Sequence, residues 1–136
     1  MDRTSARAAA MKLLYEWEMG GDGGEDTRAG MLEIQPGEKE IEFMEALYEG
    51  VKANVAAIDE AIAKFAVGWK LDRIMRVDLT ILRLACWEIL YEDDIPGSVS
   101  INEAVELANC YSDPEKSGRF INGVLGTILR KKEAEA

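Results

Sequence analysis

The residues best suited to bind a polyanion form two clusters of basic and aromatic side chains, one near each end of the chain. The first cluster contains Arg3, Arg7 and Tyr15, with Met11 and Met19 beside the tyrosine. Arg3 and Arg7 are four residues apart, so on a helix they lie on one side and can share a polyanion. Tyrosine stacks on unpaired bases. This cluster predicts either a contact site for RNA or a partner, or a second apolar face that a neighbouring helix covers.

The second cluster contains Lys116, Arg119 and Phe120. Lys116 and Phe120 lie one helical turn apart, at the edge of an apolar stripe that comprises Ile121, Val124, Leu125 and Ile128. Phe120 therefore has two interpretations. It belongs either to the periphery of the core or to a site where its ring stacks on single-stranded RNA between two basic side chains.

Three charged residues accompany the long apolar run Val77–Tyr91. Asp72 and Asp78 bracket its start, where a carboxylate either caps a helix or faces outward to a basic partner. Arg83 lies inside the run, and we expect it to satisfy an internal carboxylate or a carbonyl rather than to bind RNA.

Catalytic and metal-binding chemistry finds little support in the sequence. There is no histidine, so the usual general base and the usual nitrogen ligand for zinc are missing. Cys86 and Cys110 lack a CxxC pairing, and both are predicted to be small core residues. The glycine-rich stretch 20–26 is not followed by Lys-Ser/Thr, which indicates a connector rather than a phosphate-binding loop. We expect no catalytic residue, no metal and no cofactor.

Length and charge limit the possibilities further. A chain of 136 residues with 48% hydrophobic content predicts one domain over residues 1–136. Acidic residues outnumber basic ones by 26 to 16, which argues against non-specific adhesion to nucleic acid. Residues 114–136, however, carry five basic and three acidic side chains, so a polyanion should approach near the chain ends. No signal peptide or transmembrane segment is evident, which predicts a cytoplasmic protein without membrane contact.

Helical periodicity dominates and predicts an all-α fold. The expected helices cover Thr4–Met19, Thr27–Ile34, Lys39–Asn54, Ile58–Ala66 and Val77–Tyr91. Two more begin at Ser100 and at Asp113. Ser100 and Glu103 have the spacing of a capping box, and Asp113-Pro114 places a carboxylate at the N-cap and proline in the first helical position.

Four runs closely resemble the NusB family of bacterial transcription antitermination factors: Trp69–Ile74, Val77–Ala85, Ser100–Ala108 and Arg119–Leu125. The resemblance extends in order from about Ala6 to Ile128. It implies a non-enzymatic protein with a compact helical double bundle of about six to seven helices. Members of the family bind the boxA element of leader RNA in ribosomal RNA operons. They bind it as a heterodimer with NusE, a small-subunit ribosomal protein, and the pair joins NusA and NusG on RNA polymerase.

By motif position, the resemblance implies that RNA binds at Arg3, Arg7, Tyr15, Lys116, Arg119 and Phe120. It places the partner face on Asp72 and Asp78, with Met19 at its edge. The N-terminal arginine cluster is thinner than in many members, so we expect NusE to supply much of the positive charge.

Two other functions compete with the antitermination adaptor. One is a protein-interaction scaffold of the transcription machinery with little RNA binding of its own, which the acidic balance favours. The other is a fragment of an enzyme, because the same fold serves as the N-terminal domain of some ribosomal RNA methyltransferases. The sequence shows neither a nucleotide-binding glycine signature nor a downstream catalytic domain, and this argues against the enzyme.

Overall fold

The computed structural model of the chain describes residues 2–21 and 37–135, and all of their regular structure is helical. Within these residues there is no strand, and the helices are α1 Arg3–Glu18, α2 Glu38–Phe65, the single 3-10 turn Leu71–Arg73, α3 Arg76–Tyr91, α4 Gly97–Tyr111 and α5 Lys116–Glu135. The all-α prediction is confirmed. The expected count of six to seven helices is slightly too high for the described residues. The helices expected over Lys39–Asn54 and Ile58–Ala66 both fall, apart from Ala66, within the range of α2, which joins two helical segments across a kink where Asn54 is non-helical. The helix expected over Thr27–Ile34 lies outside the described residues.

Local signals fix both ends of α1. The Asp2 carboxylate accepts the backbone N–H of Ser5 at 2.9 Å, and this hydrogen bond lowers the pKa of Asp2. At the other end Gly20 has a φ of +85°, a left-handed conformation that suits glycine after a helix. Its N–H donates to the Trp17 carbonyl at 3.1 Å. The helix α1 therefore begins at Arg3, one residue earlier than predicted, and ends at Glu18, shortly before Gly20 and Gly21.

The chain divides into two compact units, Met1–Ala53 and Asn54–Ala136. In the first unit, α1 and the first part of α2 supply the buried apolar side chains, which include Ala6, Ala10, Met11, Leu13, Leu14, Met44, Leu47, Tyr48 and Val51. Met11, which lies beside Tyr15 in the first predicted cluster, is buried, and this favours the interpretation of a covered face at that position. The prediction of one domain over residues 1–136 stays a prediction.

In the second unit, α3 is the central helix. All residues from Asp78 to Ile89 are buried, and α3, α4 and α5 pack on one another. The predicted apolar stripe of α5 is confirmed, because Ile121, Val124, Leu125 and Ile128 are all buried. Burial of these side chains removes apolar surface from water, which is the main favourable term in folding.

Buried polar groups of α3 pair with groups on neighbouring segments. Arg83 donates to Asp59 through Nε and Nη2, each 2.8 Å from a carboxylate oxygen, as expected for an arginine in an apolar run. Glu88 accepts the Ser100 hydroxyl at 3.0 Å. The capping box predicted at Ser100 is therefore wrong. The helix α4 begins at Gly97, and the Ser100 N–H donates to the Pro96 carbonyl.

The Asp113 carboxylate caps the last helix as predicted, but α5 begins at Lys116, so Pro114 lies before the first helical position. Asp113 Oδ1 accepts the backbone N–H groups of Lys116 and Glu115, both at 3.0 Å. These hydrogen bonds, that of Lys116 first, lower the pKa of Asp113. The carboxylate thus satisfies donors that the first turn of a helix leaves without an intrahelical partner.

The two cysteines differ in exposure. Cys86 is buried in α3, and burial raises the pKa of its thiol to about 12. Cys110 lies in the last turn of α4 and is exposed, so the prediction that both are core residues is wrong for Cys110.

Candidate RNA-binding and partner-binding surfaces

An open groove beside the first turn of α5 brings together three of the predicted site residues, Asp78, Lys116 and Phe120. We call it the Trp69–Phe120 groove. It has a volume of about 240 Å³ and is lined by Trp69, Arg73, Ile74, Met75, Asp78, Asp113, Lys116, Ser117 and Phe120. Its position at the start of α5 follows from the Asp113 cap, which fixes where that helix begins.

Two aromatic rings form the apolar part of this groove. The ring centroids of Trp69 and Phe120 are 5.8 Å apart, and the ring planes are inclined at 60°. Phe120 is half-buried, whereas Trp69 is 53% exposed. Both interpretations of Phe120 thus have support, because its ring packs on a neighbour and also lines an open surface. Lys116, one helical turn before it, is fully accessible to an anion.

Arg119 lies elsewhere on α5. It is exposed and lines a second, polar groove between α4 and α5, together with Asn102, Asn109 and Asn122. The sequence placed Arg119 in one cluster with Lys116 and Phe120. In the structure these residues occupy two neighbouring grooves, so a bound polyanion would have to pass over α5 to contact all three.

Asp78 does not face outward and does not cap a helix. It is 5% exposed, in the first turn of α3, whose N-cap is Met75. Its two carboxylate oxygens accept the hydroxyls of Ser112 at 2.6 Å and Ser117 at 2.9 Å. Both structural expectations for Asp78 are therefore wrong, since Ser112, which follows α4, and Ser117, in the first turn of α5, donate their hydroxyls to the carboxylate. Its role in partner binding stays a prediction.

Asp72 and Met19, the other predicted partner residues, are exposed. Asp72 lies in the 3-10 turn that precedes α3, and its carboxylate is accessible as expected. Met19 follows α1, and its N–H donates to the carbonyl of Tyr15 at 3.0 Å. Tyr15 is also exposed, so α1 presents a tyrosine and a methionine one turn apart.

The N-terminal arginines contact an aromatic ring of the same unit. The guanidinium carbons of Arg3 and Arg7 lie 4.5 Å and 5.1 Å from the centroid of the Phe43 ring. Arg3 is exposed, but Arg7 is only 3% exposed. Burial favours the interpretation of a packed face for Arg7 and leaves Arg3 as the accessible cation of this cluster. The assignment of both arginines to RNA binding stays a prediction.

Sequence reasoning missed five residues of the Trp69–Phe120 groove, namely Trp69, Arg73, Ile74, Met75 and Ser117. Trp69 and Met75 flank the 3-10 turn and fit no helical stripe, and both are large apolar side chains that remain exposed. The sequence does show these two residues as large apolar side chains that belong to no apolar stripe of a helix, and this could have identified them. In the described part of the chain, no group of three His, Cys, Asp or Glu side chains is placed to hold a metal, and no helix is long and apolar enough to span a membrane.

The sequence and fold are similar to those of known transcription factors. The model of the NusB family matches residues 4–130. The transcription antitermination protein NusB of Acetivibrio thermocellus is 47% identical over 133 residues, which cover 97% of this chain and 91% of that protein. The structure of T. maritima NusB has a TM-score of 0.84 at 34% identity and covers 100% of this chain and 99% of its own. A crystal structure of antitermination factors NusB and NusE in complex with dsRNA has a TM-score of 0.83 at 27% identity, covering 95% and 96%.

Proposed function

The chain belongs to the NusB family, and from this premise we propose that it is an RNA-binding adaptor of transcription antitermination. In this proposal it binds boxA-type leader RNA of ribosomal RNA operons together with NusE. The complex acts in the cytoplasm with NusA, NusG and RNA polymerase, and the adaptor itself catalyses no reaction. A solved complex of a related NusB with NusE and dsRNA supports NusE and RNA as the two kinds of partner.

The observation that carries the proposal is the Trp69–Phe120 groove. It places an exposed cation, Lys116, one helical turn from a half-buried aromatic ring, Phe120. Proteins that bind single-stranded RNA combine these two elements, because cations neutralise phosphates while aromatic rings stack on unpaired bases.

The charges of the second unit support a need for a second protein. Arg130 contacts Thr127, and Lys131 pairs with Glu135. Lys132 contacts Asp93 and the carbonyl of Ile89. The exposed cations that line the two grooves are Arg73, Lys116 and Arg119. Two or three phosphate contacts give a salt slope of only about −1.5 to −2 for a single strand, and the net charge of −10 opposes binding further. We therefore expect weak RNA binding by the protein alone and stronger binding with NusE.

The test is a fluorescence anisotropy titration with a boxA-like RNA and a scrambled control, with and without NusE, at several salt concentrations. We expect the boxA-like RNA to bind more tightly than the control, and NusE to increase the affinity. Equal affinity with and without NusE contradicts the adaptor mechanism. No RNA binding in the presence of NusE supports the scaffold instead, for which the acidic net charge is the favourable observation.

Matched variants of α5 test the surface itself. Lys116→Ala and Arg119→Ala should each reduce the magnitude of the salt slope by about 0.7, the value for one lost phosphate contact. Lys131→Ala makes the same charge change in the same helix, where the lysine pairs with Glu135 at 3.5 Å, and should leave the slope unchanged. An equal reduction in all three variants indicates a general effect of net charge rather than a binding surface.

A further inference from the structure

We propose that the Trp69–Phe120 groove holds one unstacked RNA base and that Trp69 is a base-stacking residue. The inference rests on the proposed function, because it assumes that the chain binds single-stranded RNA. It adds Trp69, which lies outside α5, to the predicted RNA surface. It also assigns one kind of ligand, an RNA base, to the groove.

The exposure of Trp69 is the first argument. An indole ring is among the largest apolar surfaces a side chain offers, and in Trp69 half of it remains in contact with solvent. The rings of Trp69 and Phe120 are inclined at 60° rather than parallel, and Trp69 remains 53% exposed beside Phe120. A planar base can therefore stack on the exposed part of the indole.

The remaining walls of the groove suit a flat, largely apolar ligand. Ile74 is buried beneath the groove, and Met75 is exposed beside it. Methionine is flexible and polarizable and makes favourable contacts with aromatic rings. The volume of about 240 Å³ lies below the range of about 300–1,000 Å³ typical of pockets for drug-sized ligands, so the groove fits a small group.

The charges of the groove favour a nucleotide over an apolar peptide. Arg73 and Lys116 are both exposed and place positive charge at its rim, where the phosphates flanking an inserted base would lie. The two carboxylates of the lining are engaged by the protein. Asp113 accepts two backbone N–H groups, and Asp78 accepts two serine hydroxyls. Asp78 is buried and Asp113 is exposed, so the lining presents two positive charges and one negative charge to a ligand.

The first experiment compares Trp69→Ala, Trp69→Phe and the control Tyr91→Ala, which removes another exposed aromatic ring of the same unit. With NusE present, Trp69→Ala should weaken binding of the boxA-like RNA about 5- to 100-fold, the range for loss of one base–aromatic stack. Trp69→Phe should restore most of the affinity, and Tyr91→Ala should bind like the wild type. The salt slope should stay unchanged in Trp69→Ala, because stacking releases no counterions.

The second experiment repeats the titration with RNAs that each lack one base. At one position, removal of the base should weaken binding to the wild type but not to Trp69→Ala, because both changes remove the same stack. Additive losses at every position overturn the assignment, as does wild-type affinity of Trp69→Ala. Weaker binding of Trp69→Ala to NusE without RNA, together with additive losses, identifies the groove as a protein interface. If the wild type with NusE does not bind the boxA-like RNA, the proposed function itself fails.

Discussion

Replacing Asp78 with alanine tests whether this carboxylate holds the structure together or binds a partner. In the structure its oxygens accept the hydroxyls of Ser112 and Ser117, which lie at the connection between α4 and α5. The side chain is almost completely buried. We therefore expect Asp78→Ala to lower the stability of the fold, whatever it does to partner binding.

The size of the loss follows from the contacts. Each hydrogen bond to a charged acceptor contributes about 1.5–3 kcal/mol, so two give about 3–6 kcal/mol. Part of this is regained, because the hydroxyls of Ser112 and Ser117 are 2.9 Å apart and can bond to each other in the variant. We expect a net loss of about 2–4 kcal/mol in the free energy of unfolding, or about 6–12 °C in melting temperature. Asp78→Asn keeps the shape and one acceptor oxygen, so its loss should be about 1–2 kcal/mol.

The assay combines a thermal melt with isothermal titration against NusE, and Asp72→Ala is the matched control. Asp72 is exposed, so its removal should change stability by less than about 0.5 kcal/mol. If Asp72 contacts NusE, as the resemblance implies, that variant should instead bind NusE more weakly. An Asp78→Ala protein that melts like the wild type but has lost affinity for NusE refutes the structural role and restores the partner role.

Three further predictions concern the core and the caps. Arg83→Met leaves Asp59 without its bidentate partner and should lower the free energy of unfolding by about 2–4 kcal/mol in a urea titration; a loss below about 1 kcal/mol means that the pair contributes little. Because burial raises the pKa of Cys86 to about 12, a thiol reagent at about pH 8 should label only Cys110 in the folded protein and both cysteines after denaturation, and rapid labelling of two thiols contradicts this. The pKa of Asp113 is lower in the folded protein than its ordinary value of 3.8. The cap therefore stabilises the fold fully above about pH 3.8, and this stabilisation is lost as the pH falls through the lower pKa of the folded state. Asp113→Ala should therefore reduce the melting temperature more at about pH 7 than at about pH 2, and an equal reduction at both contradicts the capping role.

Features that depend on local chemistry were predictable from the sequence. The Asp113 cap needs only the residues of one helical turn, and the apolar run of α3 is long enough for its periodicity to be unambiguous. The partner of Arg83 was predictable by type, because an arginine in an apolar run requires a carboxylate or a carbonyl. Its identity as Asp59 was not, since no local pattern links the two residues.

Features that depend on packing between segments were predicted wrongly or not at all. Ser100 looked like a cap, but its hydroxyl binds Glu88 on another helix. The same limit applies to the candidate site. Lys116 and Phe120 follow from helical spacing, whereas Trp69 reaches Phe120 only because the fold brings two distant segments together. Arg7 shows the opposite error, because a residue type suited to phosphate proved to be buried.

The burial of α3 has a consequence for synthesis on the ribosome. Between Asp78 and Ile89 every residue of this helix is covered, and part of the cover comes from α5, which follows α3 and α4 in the chain. At a synthesis rate of about 5–20 residues per second, α3 precedes the stripe that ends at Ile128 by about 2–8 s. During these seconds α3 of the nascent chain is not yet covered by α5. Its exposed apolar surface promotes aggregation or binding to chaperones. Translation that stops before α5 should therefore give a degradation substrate rather than a smaller, partly functional protein.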